Sequence, residues 1–78
     1  MHAELTDREN EVLEQIAFGF SNKEISDNLL ISEPTVENHI HHIYTKLGIS
    51  NRAQAVVQAF QLEIVQLNDM IENKGFPS

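Results

Sequence analysis

The sequence contains no cysteine. That excludes a disulfide staple and any zinc site built on thiolates, and it fits a reducing compartment. Cations are scarce as well: five Lys and Arg stand against twelve Asp and Glu, a formal net charge of −7. A chain with that balance is repelled by polyanions unless its few positive groups are well placed. No apolar run approaches the roughly 18 residues that a membrane span needs, and the opening MHAELTDREN has no signal-peptide core. A cytoplasmic protein with no membrane partner is expected. Also missing are a Gly-rich phosphate loop and a Cys nucleophile, and 78 residues leave little room for a cleft. Carboxylates such as Glu11 and Glu14 fall on what should be a solvated helix face. An enzyme is therefore rejected, and no cofactor is expected.

What is present suits one small domain, residues 1–78. A hydrophobic fraction of 41% beside 22% charged residues is the balance of a folded chain rather than a disordered one. At this length only about 60% of the unfolded surface becomes buried, so the core is small. The acids are unevenly spread. Residues 1–20 carry Arg8 against Glu4, Asp7, Glu9, Glu11 and Glu14, whereas residues 21–50 carry Lys23 and Lys46 against Glu24, Asp27, Glu33 and Glu37. The acidic first segment, turned away from the middle of the chain, is a solvated patch.

The punctuation is helical. Thr6-Asp7-Arg8-Glu9 and Ser21-Asn22-Lys23-Glu24 have the capping-box form, a hydroxyl followed three residues later by Glu. Ser32 precedes Glu33-Pro34, and proline is tolerated in a first helical turn. Ser50 opens the last segment. Gly19 and Gly48 fall where helices should stop, and Gly75 with Pro77 ends the chain. Helices are expected at about 7–18, 22–30, 33–47 and 51–72. The fold class is all-α, a four-helix bundle containing a helix-turn-helix.

Periodicity assigns the faces. Val36, Ile40, Ile43 and Leu47 share a sector about 60° wide on the third helix, which marks its core side. Leu5, Val12, Leu13, Ile16, Ala17, Ile25, Leu29, Ile31 and Ile49 complete one cluster, while Phe18 points outward. Glu37, Asn38, His41 and Thr45 lie about 100–200° from Val36, turned away from the core. The last helix has two apolar stripes. Ala53, Val56, Val57, Phe60, Ile64, Leu67 and Ile71 suit packing on the domain. Ala55, Ala59, Leu62 and Val65 lie roughly opposite and are assigned to a second copy of the chain.

His39 and His42 are about 60° apart around a helix, close enough to share a metal ion. The only further imidazole besides His41 is His2 near the N-terminus, and two ligands do not make a structural zinc site. No metal is expected.

These residues also resemble a family. Leu5-Thr6-x-Arg8-Glu9-x-Glu11-Val12-Leu13, followed by Ile16-Ala17-x-Gly19-x-Ser21-Asn22-Lys23-Glu24-Ile25, is similar to the LuxR-type (NarL/FixJ-type) DNA-binding domain. The likeness continues through Leu29-x-Ile31-Ser32-x-x-Thr35-Val36-x-x-His39, Ile43-x-x-Lys46-Leu47-Gly48-Ile49 and Arg52-x-x-Ala55-Val56. It spans about residues 5–60, leaving 61–78 as a helical extension and tail.

The resemblance implies a transcription regulator, the effector domain of a response regulator or a stand-alone protein, that binds double-stranded DNA as a homodimer. Helix three is then the recognition helix, the long helix four pairs the copies, and the acidic first segment is a candidate contact for RNA polymerase or for a fused or separate regulatory domain. The family's base-reading places fall on Glu37, Asn38 and His41. Its backbone-contacting places fall on Asn22, Lys23, Thr35, Lys46 and Arg52. Asn38 suits adenine and His41 suits a guanine acceptor. The family's usual lysine after the Thr-Val pair is here Glu37, whose carboxylate can accept from cytosine N4. Three cations per monomer imply about four to six phosphate contacts per dimer, hence a log–log salt slope near −4 to −5. The alternative, raised by the net charge and by Glu37, is a protein-interaction module that keeps the fold without DNA binding.

Overall fold

Each helix begins where a side chain takes up N–H groups that the first turn leaves free. In a computed structural model, which describes residues 4–62, these are α1 (Asp7–Ala17), α2 (Asn22–Leu29), α3 (Glu33–Leu47) and α4 (Arg52–Gln61). Both expected capping boxes form. Thr6 Oγ1 accepts from Glu9 N at 3.1 Å while Glu9 Oε1 accepts from Thr6 N at 2.9 Å. Ser21 Oγ and Glu24 repeat the exchange at 3.1 and 2.8 Å. Ser32 Oγ caps α3 by accepting from Thr35 N at 3.2 Å, with Pro34 in the first turn. The cap of α4 is Asn51 rather than Ser50: its Oδ1 accepts from Gln54 N at 2.9 Å. Ser50 instead donates its N–H to Gln54 Oε1 at 2.7 Å. The expected continuation of the last helix to 72 lies outside the described residues.

Three helices end alike. Past α1, α2 and α3 the amides of Phe20, Ile31 and Ile49 reach back to the carbonyls of Gln15, Ser26 and Tyr44 at 3.0–3.1 Å. This stop needs a left-handed residue. Glycine supplies it at Gly19 (φ 90°) and Gly48 (φ 66°), but Leu30 supplies it after α2 at φ 59°. That is a costly place for a side chain with a Cβ. Leu30 gains nothing in packing there, being 91% exposed.

The first helix is the hub. It packs on α3 and α4, while α2 packs chiefly on α3. Val12, Leu13, Ile16 and Ala17 of α1 meet Ile25 of α2 and Val36, Ile40 and Ile43 of α3 in one buried cluster. Leu5, Leu29, Ile31, Leu47 and Ile49 are half-buried around it. Nearly all of this core was expected from periodicity. Phe18 is the exception: it is buried, not outward. A helical wheel treats every position as equally flanked, whereas Phe18 stands at the end of α1, where the chain reverses.

The faces of α4 also need correction. Ala55 and Ala59, assigned from sequence to a partner copy, are wholly buried within this chain's own core. Val56 and Phe60 pack beside them, and Ala53 and Val57 are exposed. The distance between packed helices depends on the side chains at the contact, and small ones allow close approach. On α4 the alanines therefore face inward, the reverse of their assignment to a second copy. Leu62 is exposed, and Val65 lies outside the described residues.

Candidate nucleic-acid interface

The α2–turn–α3 unit has only Leu30, Ile31 and Ser32 between its helices. Because Val36, Ile40 and Ile43 are buried against α1 and α2, the opposite side of α3 faces solvent. Glu37, Asn38, His41, His42 and Thr45 are all exposed there. Thr45 turns back on the helix, its hydroxyl donating to the His41 carbonyl at 2.9 Å. The His41 and His42 rings stand 6.1 Å apart and tilted by 53°. Glu37, Asn38 and His41 thus fall on one outward surface, as the wheel indicated.

The expected backbone contacts divide into two groups. Lys23, Asn22 and Thr35 sit on the first turns of α2 and α3. Lys23 is exposed and has Asp27 at 3.7 Å, a surface pair of small energetic weight. Thr35 is half-buried, with its hydroxyl 2.8 Å from that of Ser32.

The other group is already engaged inside the fold. Lys46 Nζ closes to 2.7 Å on Glu9 Oε1 and donates to the Glu4 carbonyl at 3.4 Å. Arg52 donates through Nη1 to Asn22 Oδ1 at 2.9 Å and through Nη2 to the Phe20 carbonyl at 2.7 Å. A charge held this way, partly buried and hydrogen-bonded, is not a loose cation awaiting phosphate. Of the three cations expected at the DNA backbone, Lys23 is exposed, whereas Lys46 and Arg52 are half-buried and tie elements together.

Glu9 is the functional group that the sequence reading misplaced. It was grouped with an exposed acidic surface, yet it is buried, at 4% exposure. Burial pushes its carboxyl upward. The hydrogen bonds from Lys46 and from the Thr6 backbone, together with the Lys46 charge, outweigh that and hold it below 4.5. The capping box alone does not signal this, because Glu24 reaches back to its own N-cap in the same way and is exposed. Glu4, Asp7 and Glu11 remain exposed, with Glu11 paired to Arg8 at 3.1 Å. A second link had no sequence signal: Asn28 Nδ2 donates to Gln15 Oε1 at 2.8 Å, tying α2 to α1.

Comparison with known proteins decides the family. Residues 3–59 match the GerE model, bacterial regulatory proteins of the luxR family. The chain belongs to the luxR family. It is 48% identical over 61 residues to the uncharacterized transcriptional regulatory protein YxjL of Bacillus subtilis, covering 78% of this chain and 28% of that protein. It is 45% identical over 62 residues to the response regulator protein VraR of Staphylococcus aureus, covering 80% and 30% respectively. Thus it spans under a third of the length of these curated relatives. Among solved structures, the transcription factor GerE superposes with a TM-score of 0.73 at 43% identity, covering 81% of this chain and 94% of that one. The response regulator ChrA of a heme-sensing two-component system gives 0.76 at 40% identity, over 83% and 32%. The fold is therefore GerE-like, four helices around a helix-turn-helix. The domain is a LuxR-type DNA-binding domain of transcription regulators, and non-enzymatic. Among the described residues no helix is long and apolar enough to cross a membrane.

Proposed function

We propose that this LuxR-type domain reads duplex DNA sequence-specifically as a homodimer, as the output domain of a cytoplasmic response regulator or as a stand-alone regulator. The observation that carries this reading is the solvent-facing row Glu37, Asn38 and His41, directly opposite the buried seam of α3. With α3 in the major groove, Glu37 accepts from cytosine N4, Asn38 pairs with adenine N6 and N7, and His41 donates to guanine. Lys23, Asn22 and Thr35 lie at the flanking phosphates, where they fix register without reading sequence. The copies pair through the exposed face of α4. Since Ala55 and Ala59 are buried, that face consists of Ala53, Gln54, Val57 and Gln61 among the described residues, with Leu62 exposed just past the helix end. A two-fold dimer then calls for half-sites related by a two-fold.

Selection from a mixed pool of duplexes across a salt series tests the proposal. With Lys46 and Arg52 tied within the fold, Lys23 is the main cation left to displace counterions. A dimer then gives a log–log slope near −2, at about 0.9 per contact, rather than −4 to −5. Enrichment of a two-fold motif with that slope supports the reading. Absence of retention at low salt favours the second reading, a protein-interaction module, which the net charge of −7 and the engaged cations keep in play.

A further inference from the structure

Arg52 is the first residue of α4, a helix that packs on α1, yet its guanidinium reaches the start of α2. There it takes hold of both neighbours of the N-cap Ser21. Nη2 donates to the Phe20 carbonyl at 2.7 Å and Nη1 to Asn22 Oδ1 at 2.9 Å. Both bonds are partly buried and charge-assisted, the stronger class of hydrogen bond. The planar fork of arginine fixes the two acceptors relative to one another, which a lysine ammonium does not. Ser21 and Glu24 satisfy the free amides of the first turn, and Ser26 Oγ bonds the Lys23 carbonyl at 2.7 Å, but these contacts are all local to α2. Ile25 anchors the turn in the core, and among the described residues Arg52 supplies the side-chain hydrogen bonds that join its exposed edge to another element.

We infer that Arg52 is a positioning residue for DNA binding. It acts through Asn22 and the Phe20 carbonyl to hold the first turn of α2, and with it Lys23, in register with the phosphate backbone. It is not itself a phosphate ligand. Its fork is occupied within the chain, and α4 is thereby joined mechanically to the DNA-facing end of α2. Placement of the paired helix thus reaches the backbone contacts directly. This inference rests on the proposal that the start of α2 lies at the phosphates.

The two ideas separate in one experiment on the 78-residue chain. Binding to a mixed-sequence duplex is measured over a salt series for the wild type and for Arg52→Lys, Arg52→Ala, Asn22→Ala and Lys23→Ala. Amide spectra report whether each variant keeps its fold. Arg52→Lys keeps the charge and loses the fork. The expected result is a loss of roughly tenfold in affinity, with the salt slope preserved and amide shifts confined to about residues 20–24. Combining it with Asn22→Ala should add little, because the two share one bond. Lys23→Ala should reduce the slope by about 0.9 per bound domain. If Arg52→Lys binds like the wild type while Arg52→Ala lowers the slope by that amount, Arg52 contacts phosphate and the inference is overturned. Shifts spread over the whole chain in Arg52→Lys, or unchanged affinity in both Arg52 variants, overturn it too. An unchanged slope in Lys23→Ala removes α2 from the phosphates instead, which is a separate failure.

Discussion

Lys23, on the first turn of α2, keeps its side chain 72% exposed with only Asp27 3.7 Å away. Lys46, on the last turn of α3, lies 2.7 Å from a carboxylate whose side chain is 5% exposed. The same charge does different work in the two places. In water an ion pair contributes about 0–1 kcal/mol, because solvent screens it and both side chains lose freedom. Out of water the cost of stripping hydration is large and is offset only by close geometry and further hydrogen bonds. Glu9 has those bonds, from Lys46 and from the Thr6 amide. Lys46 therefore belongs to the fold, joining α3 to α1, and Lys23 remains available to a partner. The same division runs through α4, where Ala59 is buried and Val57, two residues earlier, is exposed.

Substitutions on either side of this division should behave differently. The largest contrast is on α4. Ala59→Glu buries a carboxylate with no partner and should cost about 4 kcal/mol or more, enough to unfold a domain whose total stability is on the order of 5–15 kcal/mol. Val57→Glu should leave unfolding of the single chain within about 0.5 kcal/mol of wild type while weakening self-association. Urea denaturation and sedimentation read the two effects. Equal destabilisation by both substitutions would erase the assignment of faces.

The two lysines come next. Lys46→Met leaves Glu9 without its cation and should cost about 3 kcal/mol, the low end for a broken buried pair because the lysine side chain is itself 30% exposed. Lys23→Met should cost under about 0.5 kcal/mol. Acid tests the same pair. The Glu9 carboxyl is held below its ordinary 4.5, so in the folded chain it binds its proton less readily than in the unfolded one. Its contribution is present in full above 4.5 and is lost as pH falls through the lower folded value. Denaturant midpoints should fall with acidification in that window, and Lys46→Met should flatten the dependence.

The smallest effect is on the turn. Leu30 holds a left-handed conformation at φ 59° while 91% exposed. Leu30→Asn keeps the turn with a residue that tolerates it, so stability should rise by about 0.5–1 kcal/mol. A drop in melting temperature would mean that Leu30 makes a contact worth more than its strain.

Much of this was legible in the sequence because the relevant physics is local. Thr6-x-x-Glu9 and Ser21-x-x-Glu24 fix helix starts within one turn, and both bond pairs form. The seam Val36, Ile40 and Ile43 follows from helical geometry alone, and it leaves Glu37, Asn38 and His41 outside. The misplaced residues depend on what another element brings near. Ala55 and Ala59 are inside because α1 approaches closely, and no pattern within α4 records that. Phe18 is covered at a chain reversal. Glu9 and Lys46 are 37 positions apart, as Arg52 and Asn22 are 30 apart. A charge count sees five cations and cannot tell which of them the fold has already engaged.

The outward row of α3 is tested most directly by exchanging one of its residues and sequencing what binds. Wild type and Glu37→Lys are each allowed to select from the same random duplex pool, and the enriched half-sites are aligned. A carboxylate favours cytosine and a lysine favours guanine. The expected result is two motifs with the same two-fold layout that differ at a single base pair per half-site, cytosine giving way to guanine on the contacted strand. Identical motifs from both proteins, or enrichment from neither, would contradict the assignment of Glu37 and its neighbours to base reading.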